Sequence, residues 1–223
     1  ITFQTLIASK ATRVVHAATA DGEDRLVADF GMRRMHGTDA TLKAARAQYV
    51  AGVDATSNVA AGQAYGLPIT GTMAHSYVEA HDAEMDAFRE FADLYPETIL
   101  LVDTYDTLDG VRKVIAMAEE NGEDVRIQGI RLDSGDLAEL AKQSRRLLDD
   151  AGLEDVMIFA SSGLDEHKIT RLLDRGAPID GFGVGTKMGT SADQPALDSA
   201  YKLCGYAGEP RMKLSSQKSN LPG

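Results

Sequence analysis

Short apolar runs alternate with amphipathic helical stretches along this chain at intervals of roughly 25–30 residues, the rhythm of βαβ units on a parallel sheet. Residues 26–30, 53–56, 98–102, 125–132, 156–160 and 181–186 read as strands. Helical periodicity covers residues 2–20, 38–50, 77–95, 111–120, 137–151 and 166–174. Thr38 or Asp39 is the expected cap of the second helix and Asp136 that of the fifth, while Pro96 closes the third. Six or seven such units favour a (β/α) barrel over an open doubly wound sheet.

Position is the more informative signal. Arg33-Arg34, Ser57-Asn58, His75-Ser76, Asp103-Thr104-Tyr105-Asp106, Arg131-Leu132-Asp133-Ser134, Ser161-Ser162 and Gly185-Thr186 all follow apolar runs. In a barrel these are the C-terminal strand ends, where the fold carries its active site. The segment 129–136 delivers one cation, one anion and free backbone N–H groups to one point, which suits a ligand bearing negative charge and hydroxyls. Gly183-Val184-Gly185-Thr186-Lys187 suits a phosphate group, and equally a tight βα turn that needs glycine for packing. His75 at a helix start is most often a structural residue. Beside phosphate-binding groups it could instead accept a phosphoryl group.

Composition removes other classes. The net charge of −11 argues against nucleic acid and anionic membranes as partners, so an anionic ligand must be held by local donors. Cys204 is the single cysteine, which excludes an internal disulfide and fits a reducing, cytoplasmic setting. No apolar run approaches the ~20 residues of a membrane span, and no secretion signal is visible. The five histidines show no paired ligand spacing, and no Gly-x-Ser-x-Gly elbow occurs. No strand interior contains the lysine that an aldolase-type barrel needs. The start at Ile1 inside a helical pattern and the end at Gly223 suggest the interior of a longer protein.

Taken in order, Phe30-Gly31-Met32-Arg33-Arg34, Thr56-Ser57-Asn58-Val59, Gly71-Thr72-Met73-Ala74-His75-Ser76, Asp103-Thr104-Tyr105-Asp106, residues 131–136 and residues 181–186 resemble the nicotinate phosphoribosyltransferase family across essentially the whole chain. The resemblance implies an α/β fold, the (β/α) barrel-like domain of type II phosphoribosyltransferases. That catalytic domain would cover residues 1–205, incomplete at its N-terminus, with a loop-like 206–223 leading to a missing C-terminal region. The implied reaction joins nicotinate to 5-phosphoribosyl pyrophosphate (PRPP), coupled to ATP hydrolysis and assisted by Mg²⁺. Asp133 would grip ribose hydroxyls, and Arg131 the pyridine ring or its carboxylate. Arg33 is a further candidate for the carboxylate or the pyrophosphate, and Thr56 or Ser57 would line the nicotinate pocket. Ser134, Ser162, Gly163, Gly183, Gly185 and Thr186 complete the expected substrate contacts, and His75 matches the family's phosphorylated histidine. A homodimer with shared sites is also implied. The alternatives are a nicotinamide- or quinolinate-type enzyme and a non-catalytic phosphate-binding fragment. The neutral Thr56-Ser57-Asn58 run argues against nicotinamide.

Overall fold

A computed structural model describes residues 1–121, 126–197 and 205–210, and the backbone of 214–215 and 218–219. Cys204 lies outside the described residues, as do 211–213, 216–217 and 220–223 of the segment expected to be loop-like. In chain order the elements are α1 (Thr2–Thr19), β1 (Leu26–Asp29), α2 (Thr38–Val50), β2 (Ala55–Thr56), α3 (Val59–Tyr65), α4 (His75–Val78) and α5 (Glu84–Leu94). They continue with β3 (Glu97–Leu101), α6 (Thr107–Asn121), β4 (Arg126–Leu132), α7 (Leu137–Asp150), β5 (Met157–Ala160), α8 (Glu166–Asp174), β6 (Gly181–Val184) and α9 (Thr186–Thr190). Two short antiparallel pairs follow, β7 (Gly205–Tyr206) with β8 (Glu209–Pro210) and β9 (Leu214–Ser215) with β10 (Lys218–Ser219).

Strands β1 to β6 form one all-parallel sheet in the order β2-β1-β6-β5-β4-β3. Sequence neighbours pair in turn, and β6 returns to β1. Among the described residues only the β2–β3 pairing is missing, so the sheet curls into a barrel open along one seam. Ile69, bridged in parallel to Thr56, stands in that seam. Such a sheet is covered outside by helices and filled inside by side chains, which is why its strands read as unbroken apolar runs. Leu100, Leu101, Ile130, Leu132, Ile158, Phe182 and Val184 are all fully buried.

Helix α7 shows how the outer layer attaches. Leu137, Ala138, Ala141, Ser144 and Leu148 recur at helical spacing and are buried, while Asp136 accepts the Glu139 N–H at 3.4 Å as the cap. Helix α1 buries a like stripe, Ile7, Ala11, Val14 and Ala18, and adds a buried charge to it. The ammonium of Lys10, 2% exposed, lies 2.7 Å from Glu166 on α8 and 2.7 Å from Asp193 beyond α9. Arg13 meets both carboxylates as well.

Three local readings change. The expected single helix over 77–95 is two, α4 and α5, because Ala83 is extended (φ −136°, ψ 141°). The His81 ring bonds the Tyr77 carbonyl at 2.8 Å and Glu90 at 3.2 Å, so a polar side chain satisfies the backbone that a continuous helix would have paired. Helix α2 starts from Gly37 at φ 99°, with no side-chain cap from Thr38 or Asp39. Helix α3 falls where the sequence analysis places no element, and Asn58 caps it through the Ala61 N–H at 3.1 Å. Among the described residues, no helix is long and apolar enough to cross a membrane.

Gly110 lies in the body of α6, where a methyl group would collide with the Val102 carbonyl just beyond β3. Alanine ordinarily stabilises a helix interior by about 1 kcal/mol over glycine. Here the obstacle is backbone, which cannot swing aside, and overpacking of this kind costs about 1–3 kcal/mol. Gly110→Ala is therefore expected to lower stability by about 1 kcal/mol net in urea denaturation, and a more stable variant would contradict the close packing of α6 on β3.

Candidate active site

A parallel sheet places the C-terminal ends of its strands on one rim. β4 alternates inward and outward, so between the fully buried Ile130 and Leu132 the Arg131 side chain turns into the barrel. Its guanidinium donates from Nε to Ser161 Oγ at 3.0 Å, at the end of β5. From Nη1 it donates to Thr72 Oγ1 and, at 3.2 Å, to the Met73 carbonyl, both beside the seam. The Phe30 ring, just beyond β1, lies 5.4 Å beneath it in a cation–π contact. One side chain thus ties three sides of the barrel together.

Asp133 follows two residues later. One oxygen, Oδ1, accepts from Ser161 Oγ and lies 3.5 Å from the Arg131 guanidinium. The other, Oδ2, faces His75 Nε2 at 3.6 Å. Asp103, at the end of β3, supports this loop by accepting the Asp133 N–H at 2.8 Å and the Ser134 hydroxyl at 2.6 Å. Its remaining oxygen, Oδ1, is buried, has no hydrogen-bond partner among the described residues and lies 4.0 Å from His75 Nε2. His75 opens α4, and its Nδ1 pairs with Thr104 Oγ1 at 3.1 Å. The imidazole is thus anchored on one nitrogen and presents the other to two carboxylates, with its side chain 38% exposed.

The remaining expected residues are placed as follows. Arg33 is exposed on the short 3₁₀ turn Met32–Arg34. Thr56 is buried, and its hydroxyl is spent between Asp29 Oδ2 at 2.8 Å and the Asn58 N–H at 3.1 Å. Ser57 stays half-buried and lines a cavity of about 580 Å³ at the seam, with Ile69, Thr72 and Ile99. Ser162 (φ 101°) and Gly163 (φ 55°) form a left-handed exposed turn after β5, a conformation that costs a non-glycine residue of order 1–3 kcal/mol. Gly185 precedes α9, and Thr186 begins it. The missing side chain of Gly183 leaves room for the Phe30 ring, which a methyl group there would approach to 2.6 Å. Lys187 pairs with Asp165, the residue that caps α8, and so its charge is already met. A larger cavity, about 820 Å³, opens at the other mouth of the barrel around Leu26, Gln128 and Met157 and holds none of these groups.

Sequence reasoning did not single out Phe30, Thr72, Asp103, Thr104 or Ser161 as individual contributors, although most lie in strand-end runs it marked. Asp29 escaped altogether because it sits inside an apolar run. It is 1% exposed, accepts from Gly31 N–H at 2.9 Å and Thr56, and burial pushes its carboxyl up from the usual range.

The chain is similar to known proteins over its whole length. Residues 26–210 match the nicotinate phosphoribosyltransferase (NAPRTase) family. Nicotinate phosphoribosyltransferase pncB2 of Mycobacterium tuberculosis is 56% identical over 223 residues, covering 100% of this chain and 47% of the relative. The nicotinate phosphoribosyltransferase of Bacillus subtilis is 45% identical over 230 residues, covering 100% and 46%. The crystal structure of human nicotinic acid phosphoribosyltransferase superposes with a TM-score of 0.79 at 29% identity, covering 96% of this chain and 51% of that one. The chain spans about half the length of the curated relatives it matches.

Because the native state holds a proton on Asp29 more readily than the unfolded chain does, stability is expected to fall as pH rises from the ordinary carboxylate range through the raised native value. Above that value the penalty is constant. Asp29→Asn removes the titration, so the stability difference between variant and parent, followed by urea denaturation against pH, should grow across that window and then level. A pH-independent difference would contradict the effect of burial.

Proposed function

Since this chain belongs to the nicotinate phosphoribosyltransferase family, we propose that it carries the catalytic core of an ATP-coupled enzyme that forms nicotinate mononucleotide and pyrophosphate from nicotinate and PRPP, supplying NAD. The observation that supports this most directly is the convergence of Arg131, Asp133 and His75, with Asp103 behind them, on one rim of the barrel.

The chemistry gives each group a task. Leaving of pyrophosphate from ribose C1 builds positive charge on the sugar and negative charge on the leaving group, while the pyridine nitrogen approaches C1. Arg131, half of whose fork is fixed by Ser161 and Thr72, would direct its remaining donors at the nicotinate carboxylate above the Phe30 face. Asp133 would accept from the ribose hydroxyls and so orient C1. Ser57 would line the pyridine pocket, with Thr56 behind it and Arg33 at the rim. The Ser162-Gly163 turn would offer N–H groups to the 5′-phosphate, together with Gly183, Gly185 and Thr186 from the next strand end. Ser134 would hold the loop of Asp133 through Asp103.

ATP would transfer its terminal phosphoryl group to His75: the bond to ADP breaks, a nitrogen–phosphorus bond forms, and the ring sheds its proton. Two carboxylates at 3.6 and 4.0 Å would repel that phosphate. The same two carboxylates fit Mg²⁺, which takes one or two carboxylates and completes its shell with water and phosphate oxygens. Asp103 and Asp133 would hold it, with the unpartnered Asp103 Oδ1 as the available donor. When bound, the ion neutralises phosphate charge. Among the described residues no larger ligand cluster converges on one point. The reading includes one catalytic unit over residues 1–205, residues 206–223 leading into further sequence, a cytoplasmic location and a homodimer with shared sites.

Exposure of the full-length protein to ATP should yield an acid-labile phosphate on His75. His75→Ala should abolish ATP stimulation and leave slow ATP-independent turnover; stimulation that survives the change rules out this role. Asp133→Ala should weaken PRPP binding roughly 10- to 150-fold, the equivalent of about 1.5–3 kcal/mol for a lost charged hydrogen bond, measured in steady-state kinetics. Equal or greater activity on nicotinamide would overturn the substrate assignment.

A further inference from the structure

We propose that Asp29 is a positioning residue for the pyridine pocket: it touches no substrate, and sets the distance between the Phe30–Gly31 turn and the Ser57 loop. The inference rests on the functional reading above for its substrate, and on geometry alone for its clamp. Asp29 is the last residue of β1 and is paired with Thr56 of β2 on one side and Val184 of β6 on the other. All three of its oxygens are engaged, one within its own turn and two across the gap to the end of β2. Oδ1 accepts the Gly31 N–H at 2.9 Å, Oδ2 accepts the Thr56 hydroxyl at 2.8 Å, and the backbone carbonyl accepts the Ser57 N–H at 2.9 Å. Thr56 passes the constraint onward, because its oxygen also accepts the Asn58 N–H at 3.1 Å. Asn58 in turn caps α3 and donates to Thr41 on α2 at 2.8 Å. With the Thr56 hydroxyl so occupied, Ser57 is the residue of that run left facing the seam cavity.

No cation pairs with Asp29 among the described residues. A buried carboxylate with neutral partners is costly, and an apolar pair at this ladder position would hold the sheet at less cost. What the carboxyl adds is direction. Two short, oriented bonds lock both turns to one planar group, so Phe30 beneath Arg131 and Ser57 at the cavity keep a fixed separation.

The test uses the full-length protein with Asp29→Ala, Asp29→Asn and Thr56→Val. Asn can accept from Gly31 and donate to Thr56, so it keeps both links without the charge, with the second bond reversed and the Thr56 proton turned away. Asp29→Ala should raise the KM for nicotinate about tenfold, with kcat and the KM for PRPP within about threefold of the parent. Asp29→Asn should stay within about threefold in all three constants. Thr56→Val removes one bond of the clamp from the other side and should raise the nicotinate KM in the same sense, and the double variant should be no worse than Asp29→Ala alone. An unchanged nicotinate KM, a parallel rise in the PRPP KM, or an Asn variant as impaired as Ala overturns the proposal. Should Asp29→Ala fail to fold, Thr56→Val carries the same prediction. Amide hydrogen exchange separates the clamp from the substrate assignment. Exchange at Gly31 and Ser57 should accelerate in Asp29→Ala and stay slow in Asp29→Asn. Unchanged protection at both overturns the clamp whatever pyridine is bound, whereas accelerated exchange in a protein inactive on nicotinate overturns only the functional reading.

Discussion

The guanidinium of Arg131 is the interaction on which the rim of this barrel depends. Its side chain is 15% exposed and carries a full charge, which is tolerable because Ser161, Thr72 and the Met73 carbonyl accept its hydrogen bonds, the Asp133 carboxylate lies 3.5 Å away and Phe30 covers one face. Those partners come from the end of β5, from the chain beside the seam and from the turn after β1. A planar, forked donor can satisfy three directions at once, and an ammonium on a flexible stem cannot reproduce that. The cation also balances a local excess of negative charge. Without it, Asp133 and Asp103 would face each other across the loop with only an imidazole between them.

Most of the sheet was legible because strands buried on both faces leave continuous apolar runs, as at 98–102 and 156–160. The helices with a one-sided apolar stripe, such as α7, were legible for the same reason. Features that failed to show were those decided by single backbone groups. His81 and Asp82 are compatible with a helix, and only the bond from His81 to the Tyr77 carbonyl reveals the break. Asn58 reads as a polar loop residue until α3 is seen to start from it. The seam was invisible because which strands pair is settled by contacts distant in sequence, not by the composition of β2 or β3.

The site was legible to the extent that polar residues at strand ends announce themselves. Arg131, Asp133 and His75 meet as that rule implies. The supporting residues are harder to read. Asp103 and Ser161 lie in marked runs, yet nothing local says that one carries an unpartnered oxygen or that the other joins Arg131 to Asp133. Gly183 illustrates the opposite risk: a glycine that suits a phosphate in sequence is also one that makes room for an aromatic ring. Asp29 belongs to neither pattern, since a carboxylate inside an apolar run carries no sign of which neighbours will claim it.

The return of β6 to β1 has a consequence for how the molecule comes into being. Leu26 pairs with Gly181 and Asp29 with Val184, partners from opposite ends of the barrel sequence, whereas β3, β4 and β5 pair with immediate successors. The entropy of closing a loop rises with its length, so the β1–β6 ladder pays the largest such cost in the sheet. The Phe30 turn and the Gly185 turn approach each other only across that ladder. The β1–β2 pair, which carries the Phe30 and Ser57 ends, is joined to the β3–β5 part of the sheet through β6. Closing the β1–β6 ladder is therefore also what brings the Phe30 wall of the rim over to the Arg131 side.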